Sequence, residues 1–204
     1  MSHILRYLDE VAEISQKLDR EQLEQFTLSL LQVRERKGRL FLIGVGGSAG
    51  NCSHAVNDFR KLGGFEAYSP VDNVPELTAR TNDEGWHTVF EAWLRGSRLT
   101  SRDAVLVLSV GGGDKERNIS ANIVYALEYA KQAGATILGI VGRDGGFTAQ
   151  VADVCVIIPP INPDMITPHT EAFHMVILHM IIADPRMMVM GNKWESSVKE
   201  KVHR

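Results

Sequence analysis

The stretch Arg39-Leu40-Phe41-Leu42-Ile43-Gly44-Val45-Gly46-Gly47-Ser48-Ala49-Gly50-Asn51 constrains the fold of this chain more than any other. Its short apolar run, Phe41 to Gly44, bounded by glycines, reads as a buried strand that runs straight into a loop. Asn51 to Leu62 then reads as a helix, which puts the loop at a helix N-terminus. Glycines let backbone N–H groups approach an anion closely, and the helix dipole favours negative charge at that end. His54 and Asp58 stand four apart on this helix and so share a face near the loop. An anion cradle beside a His/carboxylate pair suits proton chemistry on a phosphorylated compound. The loop alone fits equally well a tight turn that packs a helix on a sheet.

The rest of the chain repeats the strand–loop–helix pattern. Residues 3–36 carry apolar positions at helical spacing (Ile4, Leu5, Leu8, Val11, Ile14, Leu18, then Leu23, Phe26, Leu28, Leu31, Val33) and predict one or two helices with a break near Asp19 to Glu21. Ala67–Val71 reads as a short strand, a short helix opens at Pro75 and ends near Asn82–Gly85, and Thr88–Leu94 is helical with Trp86, Phe90 and Trp93 spaced for the core. Further strands are expected at Asp103–Ser109, Ala135–Val141 and Val154–Ile158. Further helices are expected at Ile119–Gly134, Phe147–Ala152 and Thr170–Ala183. Strands alternating with helices predict an α/β three-layer sandwich: a mostly parallel central sheet with Rossmann-like or flavodoxin-like topology, preceded by N-terminal helices. Ligands of such sheets bind beyond the carboxyl ends of the strands, where glycine-rich loops follow Phe41–Gly44 and Val105–Ser109. No linker or repeat interrupts the 204 residues, so one domain is expected: leading oligomerisation helices over 1–36, an α/β core over 37–190, and a tail over 191–204.

Several function classes lose support. A net charge of −3 without a long basic block gives no footing for nucleic acid, and the basic end at Lys199–Arg204 reads as a solvated tail. No apolar run reaches the roughly 20 residues a membrane helix needs, and Met1–Arg20 lacks a signal-peptide core. Cys52 and Cys155 lie far apart without CxxC spacing, which fits a reducing cytoplasm; Cys52 reads as a small buried thiol. The glycine loop matches a dinucleotide fingerprint poorly, with Ala49 at the third glycine, and lacks the GK[ST] of a nucleotide-binding P-loop, so no nucleotide cofactor is expected.

Three ordered features together resemble the sugar isomerase (SIS) domain: the strand–GxGGS–helix opening, the later strand–Ser–Gly loop, and the late helix bearing His179. Within that family the likeness is to the phosphoheptose isomerases, which convert sedoheptulose 7-phosphate to a heptose 7-phosphate, and it covers nearly the whole chain. The resemblance implies that Gly46, Gly47 and Ser48 form the family's GGS loop, with Val45 where an Asn is usual. It matches His54 to a zinc-binding histidine, Asp58 to the catalytic, metal-binding Glu, and Asn82-Asp83 to a substrate-contacting pair. Ser109 opens the phosphate loop, Glu171 stands where a substrate- and metal-contacting Gln is usual, and His179 matches the catalytic histidine. A homotetramer is implied, with sites between subunits. The phosphate loop, Ser109-Val110-Gly111-Gly112-Gly113-Asp114, has fewer hydroxyls than its relatives and is followed by extra residues, Lys115 to Asn118. Backbone N–H groups, Lys115, Arg117 or a displaced Ser120 are the available replacements. Asp for Glu at position 58 withdraws a proton-abstracting oxygen by roughly 1 Å, worth about 10²-fold if uncompensated.

The residues themselves are consistent with that likeness. Aldose–ketose isomerisation needs a base that moves a proton between adjacent carbons and an acid or metal for the enediolate oxygens. Asp58 and His179 supply proton carriers from different helices. His54, Asp58, Glu171 and His179 form a two-His, two-carboxylate set suited to zinc or another divalent ion. Glu171 and His179 are eight apart, two turns on one helix face. His174 reads as a core histidine and His169, after Pro168, as a cap or solvent-facing residue. The competing readings are a non-catalytic SIS module that binds a phosphosugar or a protein, and an isomerase or epimerase of another ketose phosphate.

Overall fold

A computed structural model describes residues 2–191 and residue 193. The expected tail over 191–204 therefore lies almost wholly outside the described residues. Two helices lead, α1 (His3–Lys17) and α2 (Arg20–Glu35). Asp19 separates them because its Oδ1 accepts from the backbone N–H groups of Glu21 and Gln22, each at 3.0 Å, and so caps a new helix. After β1 (Leu40–Gly44) come α3 (Gly47–Lys61), β2 (Ala67–Tyr68), α4 (Val74–Asp83) and α5 (Val89–Gly96). After β3 (Ala104–Ser109) come α6 (Ala121–Gln132), β4 (Thr136–Val141), α7 (Gly146–Val151), β5 (Val154–Ile157) and α8 (Ile166–Ile182). All strand pairs are parallel and the order is β2-β1-β3-β4-β5, the flavodoxin-like arrangement.

Two-residue periodicity distributes the strand side chains between two cores. Leu40, Leu42, Leu106, Leu108, Leu138 and Ile140 face one side, against Phe26, Leu30 and Val33 of α2, Phe59 of α3 and Phe173 and Ile177 of α8. Phe41, Ile43, Val105, Val107 and Ile137 face the other, against Phe90 and Leu94 of α5 and Ile123 and Leu127 of α6. Both faces of β1 and β3 are thus covered, as a parallel sheet requires. The N-terminal segment divides in two: α2 belongs to the core, whereas α1 buries Ile14 and leaves Ile4, Leu5 and Leu8 exposed.

Several element boundaries shift from expectation for local reasons. The first site helix begins at Gly47 rather than Asn51, because Gly46 (φ 64°) makes the turn and the helix starts at once; Gly47 and Ser48 are its first turn. The second strand pairs only at Ala67 and Tyr68, since Pro70 opens a 3-10 turn. Helix α6 starts at Ala121 rather than Ile119, because Asp114 and Ile119 form an antiparallel bridge and fold the extra residues into a small hairpin. Helix α8 starts at Ile166, four residues early, since Pro168 lacks an N–H only where the first turn needs none. Trp86 is 43% exposed, so of the expected core aromatics Phe90 is buried and Trp93 packs edge-on against Phe41.

The strand order reverses between β1 and β3, whose ends lie side by side with Gly44 opposite Leu108. The crevice beyond these carboxyl ends, framed by the loops at 45–46 and 110–113, is the expected ligand position.

Candidate active site on two parallel helices

Helices α3 and α8 run side by side in the same direction. Gly47 lies under the Glu171 carboxylate, Asn51 Nδ2 donates to the Glu171 carbonyl at 2.9 Å, and His54 meets His179 one turn further on. Cys52, Ala55 and Phe59 point α3 into the core, which leaves His54 and Asp58 on the flank that faces α8.

Three side chains converge there. His54 Nε2 and Asp58 Oδ2 are 3.2 Å apart, His179 Nε2 and Asp58 Oδ2 are 3.5 Å apart, and the two Nε2 atoms are 3.2 Å apart. Zinc bonded to N and O at about 2.0–2.1 Å in a tetrahedron has ligand–ligand edges of about 3.3–3.4 Å, so these distances match one tetrahedral face with its fourth position open. The donor set therefore fits a divalent metal. Asp58 is largely buried and its second oxygen, Oδ1, accepts from Asn57 Nδ2 at 2.9 Å, which fixes the carboxylate plane. The shorter Asp side chain thus reaches both histidines, which are each about half exposed.

Glu171, the fourth expected ligand, does not join them. A side chain built at Gly47 would fall on its carboxylate, so it stands at the first turn of α3, seven residues or about 10 Å of helix rise from His54. A carboxylate at that helix end is favoured by the dipole and lies at the substrate crevice rather than at the three-ligand cluster.

Beside it opens a cleft of about 630 Å³, lined by Ser48, Ser109, Gly111 and Ser120 among others, four of the expected phosphate-binding residues. Gly46 shapes the turn without lining it. Ser109 Oγ accepts from the Gly112 N–H at 3.0 Å and so folds its own loop. Thr148 holds the Gly112 carbonyl by its N–H at 2.9 Å and its hydroxyl at 2.7 Å, and the Phe147 N–H bonds the Gly113 carbonyl at 2.8 Å. Gly112 must be glycine: its φ is 70° and any Cβ would strike the Gly145 carbonyl. Lys115 and Arg117, the expected substitutes for the missing hydroxyls, are each held by an acid, Glu128 at 2.5 Å and Asp114 at 2.8 Å. Asn82 and Asp83 lie exposed at the end of α4 and bond each other at 2.7 Å; neither lines the cleft.

His174 is buried, as expected, with its Nδ1 3.5 Å from Asn51 Nδ2, and burial pushes its pKa down to about 4. His169 is neither a cap nor exposed: it is buried, 2.8 Å from Glu10 and stacked on Tyr7, and it docks α1 on α8. Cys52 is buried, and desolvation raises its thiol pKa far above the usual value, so it is inert. Three residues of the site escaped the sequence reading: Asn51, Asn57 and Arg143. The first two signal themselves only as polar residues on the same helix flank as His54 and Asp58, and Arg143 as a charged residue within a glycine-flanked strand-end turn.

Comparison with known proteins agrees with this architecture. A family model described as SIS domain matches residues 6–142. The lincomycin biosynthesis protein LmbN of Streptomyces lincolnensis is 31% identical over 154 residues, 71% of this chain, which spans about half (54%) of that relative. The phosphoheptose isomerase of Trichlorobacter lovleyi is 29% identical over 188 residues, 88% of this chain and 90% of the relative. The solved structure of the phosphoheptose isomerase of Neisseria gonorrhoeae superposes with a TM-score of 0.77 at 24% identity, over 88% of this chain and 95% of that one, and shows the same fold.

Proposed function

This chain belongs to the SIS domain family, and from that premise we propose that it is a phosphosugar aldose–ketose isomerase, interconverting sedoheptulose 7-phosphate and D-glycero-D-manno-heptose 7-phosphate for heptose-containing surface glycan. The observation that carries the proposal is the convergence of Asp58 with His54 and His179 on the same helix whose first turn lines a cleft large enough for a small phosphorylated molecule. Similarity to phosphoheptose isomerases of several species along most of the chain supports the substrate.

Asp58 is the base. Its Oδ1 keeps a lone pair after accepting from Asn57, takes the carbon-bound proton next to the carbonyl and returns it to the neighbouring carbon. His179 carries the proton between the two oxygens, and its half-exposed ring has room for substrate. Glu171, set over Gly47 at the cleft end of α3, holds substrate hydroxyls, and Ser48, Ser109, Gly111 and Ser120 receive the phosphate. Gly46 and Gly47 shape the helix end, while Asn82 and Asp83 remain substrate contacts by resemblance alone. Zinc or another divalent ion held by His54, Asp58 and His179 would polarise the substrate carbonyl and, with the His179 Nε2 lone pair so engaged, would stand in for the proton that His179 otherwise carries.

The open flank of the cluster carries exposed Val176 and Met180 on either side of His179, and α1 exposes Ile4, Leu5 and Leu8. These apolar faces support closure by further copies of the chain into a homotetramer. The two free cysteines support a cytoplasmic location. Among the described residues no helix is long and apolar enough to cross a membrane.

The test is conversion of sedoheptulose 7-phosphate by the purified protein, with zinc added or chelated, beside Asp58→Ala and His179→Ala. Turnover lost in both variants supports the assignment. A protein that binds the sugar phosphate without converting it is a non-catalytic SIS module instead, and one that converts only a different ketose phosphate keeps the chemistry and changes the substrate.

A further inference from the structure

The cleft has three cations in its wall, and one of them is unpaired among the described residues. Lys115 is paired with Glu128 and Arg117 with Asp114. Arg143 lies across the phosphate loop, its Cδ and Nη1 each 3.8 Å from the position a Gly111 Cβ would take, and makes no hydrogen bond or ion pair among the described residues. It is also strained: its φ is 52°, in the left-handed region that costs a non-glycine residue energy. Gly142 precedes it and Gly145 follows two residues on, yet at 143, where glycine would carry no strain, arginine stands. Across the cleft Ser120, the residue before α6, has a φ of 50° and lines the same wall. The backbone N–H groups of Ala121 and Asn122 that follow have no acceptor among the described residues.

We propose that Arg143 is the phosphate-binding cation of this cleft, supplying from the turn after β4 the positive charge and forked donors that compensate for a hydroxyl-poor loop after β3. The inference rests on the phosphosugar function proposed above and deepens it. A serine- and threonine-lined cradle binds phosphate through neutral hydrogen bonds. A guanidinium over Gly111 makes charge-assisted, geometrically paired ones, which favour the phosphate monoester dianion over a neutral sugar.

The test separates this inference from the function itself by using inorganic phosphate alone, read by thermal shift and by calorimetric titration. The wild type is expected to bind phosphate, and Arg143→Gly to bind it roughly 10- to 100-fold more weakly. Because glycine relieves the left-handed strain, Arg143→Gly is expected to melt no lower than wild type without phosphate, which removes misfolding as an explanation. Arg143→Lys keeps the charge without the fork and is expected to fall between the two, while Arg117→Met retains phosphate binding. With sugar phosphate as substrate, Arg143→Gly raises KM more than it lowers kcat, since the phosphate is remote from the reacting carbons. Equal phosphate affinity in wild type and Arg143→Gly overturns the proposal, as does loss of binding in Arg117→Met instead. Phosphate binding that depends on Arg143 in a protein without isomerase turnover leaves this inference standing and refutes the enzymatic function alone.

Discussion

Gly47→Ala is predicted to separate activity from stability. The Cβ it adds would lie 2.5 Å from Glu171 Cδ, and ordinary contact begins near 3.4 Å, so the carboxylate must retreat by about 1 Å. Folding tolerates this. The displaced atoms are the free end of a flexible side chain, the backbone at Gly47 is helical, and alanine in a helix is favoured over glycine by at most about 1 kcal/mol. For a chain of this length that keeps the melting temperature within about 4 °C of wild type. Catalysis does not tolerate it: misplacing a positioning group by about 1 Å costs on the order of 10²-fold in kcat/KM. Thermal melts and initial rates on sedoheptulose 7-phosphate provide the two measurements, completed by a cycle with Glu171→Ala. If the glycine exists to seat Glu171, Gly47→Ala has no further effect once Glu171 is alanine. Wild-type turnover in Gly47→Ala, or the same loss in both backgrounds, would refute the role given to Glu171.

Zinc at 100 times its dissociation constant should add about 2.7 kcal/mol to stability and raise the melting temperature by roughly 5–10 °C, a shift that His54→Ala abolishes; an unchanged shift in that variant would place the ion elsewhere. Asp103 accepts from the Arg39 backbone and side chain and from Thr100, and although burial would raise its pKa these bonds hold it below the usual range. Asp103→Ala leaves the Arg39 guanidinium without its carboxylate and should cost about 3–5 kcal/mol by urea denaturation. His174 makes stability depend on pH. Its pKa is pushed from 6.5 to about 4 by burial, while the carbonyls of Ile140 and Ser109 pull the other way without reaching hydrogen-bond geometry at Nε2. The unfolded chain then binds more protons between those values, so stability is full above pH 6.5, falls by about 3 kcal/mol as pH drops to 4, and changes no further below it. His174→Gln should flatten that part of the profile, and an unaltered slope would show that other groups produce it.

The sequence made the sheet legible because β1, β3 and β4 are near-continuous apolar runs, the composition that a strand buried on both faces favours. Strand ends and helix starts were less legible where backbone conformation decides. Nothing in the letters of Ile119-Ser120 announces the left-handed φ that delays α6, and the bridge from Asp114 to Ile119 is a non-local pairing. At the site, His54 and Asp58 were legible because four-residue spacing fixes a shared face. The meeting with His179 came only through resemblance, since it depends on the parallel docking of α8. At Glu171 a shared helix face is not enough. Two helical turns put it on the face of His179 but also about 12 Å away along the axis, too far to share a metal. Which of three cleft cations is free was illegible, because Lys115 pairs with Glu128 thirteen residues away, across the start of a helix.

The separation of cleft and cluster follows from the way α3 is anchored. Cys52, Ala55 and Phe59 are buried at i, i+3 and i+7, which fixes the helix rotation, so His54 and Asp58 have no freedom to turn away from α8. The axial position is fixed at the other end by Gly46, where the chain leaves β1 and turns at once into the helix. Ser48 in the cleft and His54 in the cluster are therefore held about 9 Å apart along the axis, with the Glu171 carboxylate over Gly47 at the cleft end. If the cleft receives the phosphate and Asp58 the reacting carbon, as proposed above, a short triose phosphate cannot engage both ends, whereas an extended sugar phosphate can. On the function proposed above, substrate length is measured by a helix whose register the hydrophobic core sets, and the Asp at position 58 alters the reach of one oxygen without altering that measure.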